Sequence, residues 1–300
     1  MSAATSPVTG KLYGVKRVCG AWELNRSSWY AKRRSASLAP AAAAKRGPKT
    51  AHSDAELLGA IRADLAASPF NGEGHRKVWA RLRVASLRTS KPRVLRLMRE
   101  NGLLAPSRAV RSLGPRAHDG TIIPEAPDLM WGTDFTSTVT VSEGQAAVFV
   151  CVDHYSAALL GVHAAKRATR WEALDPVRQA VRDVFGAISK DIATGLALRH
   201  DHGTQYLADD FQSEIAFLGI ESSPAFVRAP EGNGCAERII RTLKEQLLWV
   251  RHFDTVEELR QALKAWQKTY NERWLIERHG HRSPAQVRRS YYAELRKQAA

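Results

Sequence analysis

At Trp131 the chain stops reading as helices and begins to read as strands. WGTDFTSTVTV and QAAVFVCVDHYS are β-branched and aromatic runs parted by a turn at Ser142-Glu143-Gly144. Leu159–His163 predicts a third strand, Trp171–Phe185 a helix, LALRHD (196–201) a short buried strand and Asp209–Leu218 another helix. Gly232–Val250 and Thr255–Tyr270 carry the spacing of amphipathic helices. Strands in succession, followed by strands alternating with helices, predict a mixed α/β sheet with helices on its faces. No internal repeat interrupts this order.

The segment before Trp131 is set apart by charge. Residues 1–120 hold 23 Lys and Arg against 7 Asp and Glu, whereas the remaining residues hold 22 against 23. A basic front half joined to a near-neutral back half predicts that the first grips a polyanion while the second does chemistry. Three scattered cysteines, Cys19, Cys151 and Cys235, fit a reducing cytosol and leave neither a disulfide framework nor a CxxC zinc pair. With no apolar run near ~18 residues and no secretory leader, a spanning or exported chain is not expected.

Within the basic half, residues 1–34 form a basic helical segment. Val15, Val18, Trp22 and Leu24 lie on its apolar side, and Asn25 or Ser27 is placed to cap a second helix. Residues 35–50, SASLAPAAAAKRGPKT, read as a linker. Residues 51–105 predict a helix-turn-helix-like DNA-binding domain. It opens on the capping box Ser53/Glu56, continues through Val78, Trp79, Leu82 and Val84, and starts its last helix at Ser90-Lys91-Pro92. That helix stops at Asn101-Gly102. Arg76, Lys77, Arg93 and Arg96 are its candidate DNA contacts. Residues 106–127 read as a connector, 128–290 as the catalytic core with C-terminal helices, and 291–300 as a tail.

Three carboxylates stand in unlike settings inside the core. Asp134 lies within a strand, Asp201 at the C-terminal end of LALRH, and Glu237 in the first turns of a helix, with 35 residues between Asp201 and Glu237. A sheet can bring such residues to one edge. Gathered there they repel one another, and divalent cations remove the repulsion. Mg²⁺ takes oxygen ligands and keeps waters and substrate phosphates in its shell. Two such ions about 3.5–4 Å apart serve in-line displacement at phosphorus. Water would attack when a strand is nicked, and a DNA 3′-hydroxyl when it is joined elsewhere.

At these residues the sequence resembles the integrase-type DDE transposases, and more narrowly the insertion sequence three family. WGTDFT (131–136), RHDHGTQY (199–206) and GNGCAERIIRTLKE (232–245) resemble its three catalytic blocks. YGVKRVCGAWELNRSSWYAKRR, GEGHRKVWARLR with RVLRLMRENGLL, and YNERWLIERHGHRSPAQV resemble its flanking segments, so nearly the whole chain is covered. The resemblance implies a ribonuclease-H-like core with a five-stranded mixed sheet. It also implies two Mg²⁺ or Mn²⁺ ions, and the DDE roles for Asp134, Asp201 and Glu237. Asn233 matches a family Asn four residues before the Glu and is expected near the substrate. Arg241 and Lys244 share the Glu237 helix face and are expected to contact DNA phosphates. His202 is expected to touch substrate or metal-bound water.

One departure concerns an upstream aromatic-Gly-Arg-Arg string, replaced here by FNGEGHRK, which bears on base reading. Family members typically make the catalytic protein from the second of two overlapping reading frames, so a first-frame partner is implied. Double-stranded DNA at the element ends and target, a homo-oligomer on DNA, and a bacterial, nucleoid-associated cytoplasmic location follow from the same resemblance. Two other functions compete: a plain Mg²⁺-dependent nuclease on the same fold, and a non-catalytic DNA-binding repressor. Asp153, Glu231 and an H-x-H pair at His200 and His202 are competing ligands. The Asp153 side chain is expected instead to bond a turn, and Glu231 to lie in a loop.

Overall fold

The computed structural model describes residues 3–37, 51–106, 122–225 and 233–299. Most of the predicted linker, residues 107–121 of the connector, and the competing Glu231 fall outside them. The chain divides into two compact units, residues 1–51 and 52–300.

In the first unit, α1 (Gly14–Ala21) and α2 (Arg26–Ser37) form the expected helical pair. Asn25 makes the turn into α2, its side-chain oxygen accepting from the Ser27 backbone N–H at 3.1 Å and the Ser27 hydroxyl at 2.8 Å. Cys19 is buried, but Trp22 and Leu24, expected on the apolar side, are exposed because the turn between the helices carries them outward.

The second unit opens with three helices, α3 (Asp54–Ala67), α4 (His75–Val84) and α5 (Lys91–Glu100). The predicted capping box is formed: Ser53 Oγ accepts from the Glu56 N–H, and Glu56 accepts from the Ser53 N–H at 2.7 Å. Ser90 caps α5, and Gly102 leaves that helix with φ +66°. Leu57, Ile61, Val78, Leu82, Val94, Leu97 and Met98 form one buried cluster. Each such side chain contributes roughly 1.5–3 kcal/mol. Val84, expected among them, is exposed at the frayed end of α4.

The sheet follows as β1 (Met130–Thr140), β2 (Gly144–Asp153), β3 (Leu159–Ala165), β4 (Ala197–His200) and β5 (Glu221–Pro224). Its spatial order is β3-β2-β1-β4-β5. The first three strands are antiparallel, while β4 pairs parallel with β1, and β5 parallel with β4. Helices α6 (Arg170–Phe185), α7 (Thr204–Leu207) and α8 (Asp209–Phe217) cover one face; α9 (Gly234–Leu243) and α10 (Val256–Arg273) cover the other. Alternate residues of β2 feed the two cores: Phe149 and Cys151 join Trp131 and Leu198 under α6, while Val148, Val150 and Val152 pack under α9 and α10. Helix α6 lies so close to β3 that a Cβ on Gly161 would stand 1.9 Å from the Pro176 carbonyl oxygen.

Two elements depart from expectation. The long helix predicted over 232–250 ends at Leu243, and Lys244–Leu248 continue with π-helical hydrogen bonding. The final helix, α11 (Pro284–Ala299), runs through most of the segment expected as a tail. No described helix is long and apolar enough to cross a membrane.

Candidate active site

The β1–β4 ladder fixes the first two carboxylates. Its last pair is Gly132↔Arg199, and two residues further along each chain lie Asp134 and Asp201. Asp134 lies within β1 and Asp201 one residue past the end of β4, both just beyond the last ladder pair. Alternation decides which way they face. Trp131 and Leu198 enter the core under α6, so Gly132, Asp134, Arg199 and Asp201 belong to the opposite face, the one covered by α9. Glu237 comes from the first turn of α9.

Electrostatics registers the convergence. The Asp134 carboxyl is raised to about 7, first by burial and then by the Asp201 and Glu237 charges, with the Phe135 N–H and Lys244 opposing them. The Phe135 N–H donates to Asp134 at 2.8 Å, and the Gly203 N–H donates to Asp201 at 2.9 Å. Tyr206 closes the floor behind the two aspartates. It is fully buried against His200 and Phe211, and burial, followed by the Asp134 charge, raises its hydroxyl well above the ordinary range. Tyr206 belongs to the same block as Asp201, yet as an apparent core aromatic it gives no sequence signal of this placement.

The remaining predicted contacts divide by exposure. Arg241 is exposed and pairs with Glu245 at 3.0 Å, His202 is exposed on the bend after β4, and Lys244 sits at the start of the π-turn near Asp134. Asn233, expected near the substrate, lies against the backbone beside Asp134. It is 3% exposed, and its side-chain N–H donates 3.0 Å to the Thr133 carbonyl instead of facing outward.

In the helical module, Arg93 and Arg96 both clamp Asp54 at 2.6 Å, tying α5 to the start of α3. Lys77 has its ammonium 2.8 Å from the centre of the Trp274 ring and 3.5 Å from Glu73. Arg76 forms an exposed pair with Glu277 at 2.7 Å. Arg93 and Arg96 are thus engaged inside the module, and Arg76 and Lys77 where the module packs on the core. The FNGEG segment makes that contact: Asn71 and Gln246 exchange hydrogen bonds at 2.8 and 2.9 Å, and Phe70 meets Trp274 edge-on at 4.9 Å.

The competing ligands are otherwise occupied. Asp153 is fully buried and accepts from the Asp128 and Ser156 N–H groups and the Ser156 hydroxyl, as a turn-bonding strand-end residue does. His200 is buried toward Tyr206 and Ser222, while His202 has left the strand, so the two rings do not share a face. Among the described residues, His163, Glu172 and Asp175 have ligand atoms within 4.8 Å of one another. The three predicted carboxylates are spaced more loosely and act on each other through charge. His163 Nε2 lies 2.6 Å from Glu172 and 3.2 Å from Asp175, a clamp between β3 and α6 on the far face of the sheet.

Residues 124–230 match a family model described as an integrase core domain, and residues 218–284 match a second model of the same description. The chain is 26% identical over 232 residues to the transposase for insertion sequence element IS629 of Shigella sonnei, covering 74% of this chain and 75% of that one. It is 28% identical over 249 residues to a putative transposase for insertion sequence element IS986/IS6110 of Mycobacterium tuberculosis, covering 78% and 87%. Among solved structures, it is similar to a chain of the simian T-cell lymphotropic virus intasome in complex with PP2A regulatory subunit B56 gamma. That match has 20% identity and a TM-score of 0.45, covering 70% of this chain and 73% of that one.

Proposed function

The chain belongs to the DDE-type insertion-sequence transposases with an integrase core, enzymes of DNA strand transfer, and we propose that Asp134, Asp201 and Glu237 are its catalytic metal ligands. What supports this assignment is that Asp134, half-buried on β1, feels the Asp201 and Glu237 charges, which with burial raise its carboxyl to about 7. Such a set is unfavourable by itself and becomes favourable around cations. Its donors are all carboxylate oxygens, the set that suits Mg²⁺ or Mn²⁺ rather than zinc. Two ions held there would supply Lewis-acid stabilisation to the attacking and leaving oxygens.

The chain's own residues then have distinct tasks. Asp134 and Asp201 stand on the rigid sheet and define the floor, whereas Glu237 approaches on α9. Lys244, whose charge already reaches Asp134, is placed to meet the DNA phosphate drawn to the site. Arg241 extends the same helix face toward the DNA backbone. Tyr206 stays protonated and keeps water from entering behind the aspartates.

In the first step water adds to phosphorus and the P–O3′ bond breaks, leaving a 3′-hydroxyl and a 5′-phosphate. In the second, that 3′-hydroxyl attacks a phosphodiester of the target. One P–O bond forms as one breaks, so joining needs no external energy source. No covalent protein intermediate is involved. Joining two element ends calls for at least two such sites, so the active form is a homo-oligomer on double-stranded DNA, assisted by a first-frame partner in end recognition.

A metal-specificity switch tests the ligand assignment. Asp201→Cys places a softer thiolate at the site. It is expected to abolish cleavage in Mg²⁺ and restore part of it in Mn²⁺. Equal cleavage by the variant and the wild type in Mg²⁺ would overturn the role of Asp201.

A further inference from the structure

Asn233 is the N-cap residue of α9, and Asn is among the side chains best suited to capping, yet it makes no cap hydrogen bond. Its amide nitrogen donates instead to the Thr133 carbonyl at 3.0 Å. That carbonyl belongs to the peptide linking Thr133 to Asp134, one residue past the last β1–β4 pair. Glu237 follows Asn233 by four residues, about one helical turn. A single buried hydrogen bond thus joins the backbone beside the first carboxylate to the helix that carries the third.

The surroundings are shaped for this bond. A Cβ on Gly132 would stand 2.8 Å from Asn233 Oδ1 and 2.6 Å from His154 Nε2, so the strand leaves space where the two side chains enter. Asn233 Oδ1 has no hydrogen-bond partner among the described residues, although Asn233 is only 3% exposed. An unsatisfied buried acceptor costs about 1–3 kcal/mol, which offsets the roughly 0.5–1.5 kcal/mol that the bond to Thr133 contributes. Stability alone does not account for the amide.

We propose that Asn233 is a positioning residue that sets the approach of Glu237 to Asp134 and so tunes how tightly the carboxylate site holds a divalent cation. The proposal rests on the metal-ligand reading above. Asn233 acts through Glu237, without touching DNA or metal.

The test is Mn²⁺ binding to the full chain at pH 8 without DNA, read by electron paramagnetic resonance. The proteins compared are wild type, Asn233→Ala, Glu237→Gln and the double variant. Asn233→Ala is expected to weaken Mn²⁺ binding about tenfold. The double variant is expected to bind no more weakly than Glu237→Gln, because the two residues act in one chain of cause. Melting in EDTA reports whether Asn233→Ala folds. Asn233→Asp, of the same size but lacking the N–H donor, is the second variant and is expected to weaken binding as well. Additive losses in the double variant, or wild-type Mn²⁺ affinity in a folded Asn233→Ala, would overturn the positioning role. A tenfold loss of end-DNA affinity in EDTA with Mn²⁺ affinity unchanged would overturn it in favour of direct DNA contact. Failure of the wild type to bind Mn²⁺ would strike the carboxylate site itself, which separates the two failures.

Discussion

Asp134 and Asp201 each lie two residues past the pair Gly132↔Arg199 that ends the parallel ladder between β1 and β4. A parallel ladder gives neighbouring chains the same direction, so Asp134, within β1, and Asp201, just past the end of β4, follow the same ladder pair. Helix α9 then adds Glu237 from above. Main-chain hydrogen bonding thus sets the two aspartates, and the docking of α9 sets the third carboxylate.

Asp134 makes the metal-free protein sensitive to pH. Its folded carboxyl is raised from 3.8 to about 7. Stability linked to this group is therefore full below pH 3.8 and is lost as pH rises through 7, because the unfolded chain ionises first. Asp134→Asn is expected to melt higher than wild type in EDTA at pH 8, by on the order of 2–4 kcal/mol. The gain should vanish toward pH 4. Mg²⁺ should raise the wild-type melting temperature at pH 8 and leave the variant unmoved. Parallel thermal melts across pH, with and without Mg²⁺, decide it.

Arg241 and Arg93 should separate DNA contact from internal clamping. The first is exposed beside the site, the second ties Asp54 and the His52 carbonyl together. Arg241→Ala is expected to weaken DNA binding and to reduce the slope of log affinity against log salt by about one. Arg93→Ala should lower the melting temperature and leave that slope unchanged. Salt titrations of DNA affinity on both variants provide the check.

Glu73 anchors the helical module from a position with 1% side-chain exposure, 2.6 Å from Arg81 and 3.5 Å from Lys77. Glu73→Gln removes a buried counter-charge from both cations and leaves Arg81 to Asp64. It is expected to cost about 2–4 kcal/mol in urea unfolding.

Much of this architecture is legible in the residues, for identifiable reasons. Ser53 and Glu56 announce a helix start because both halves of a capping box are local. The β-branched run over 146–152 announces a strand buried on both faces. Asp134, Asp201 and Glu237 can be read out because a strand, a strand end and a helix start each leave a local pattern. Strand β5 carries only Glu-Ser-Ser-Pro, too polar and short to signal itself; pairing along β4 creates it. The π-turn at Lys244 depends on how α9 meets its neighbours, which no periodicity encodes. The internal pairings of Lys77, Arg93 and Arg96 leave no sequence signal, because a basic helix looks alike whether its partners are phosphates or internal carboxylates. The bond of Asn233 leaves no signal for a related reason: its partner is a carbonyl 100 residues away.

The fate of a labelled duplex carrying the element's end, incubated with the full chain and Mg²⁺, tests the account most directly. Wild type, supplied with the first-frame partner where end recognition needs it, should yield nicked and then strand-joined products. Asp201→Asn and Glu237→Gln should yield neither, with DNA binding retained. Nicking without joining would favour a plain nuclease. Binding without any metal-dependent product from wild type, or product from either variant at the wild-type rate, would contradict the carboxylate site proposed for this chain.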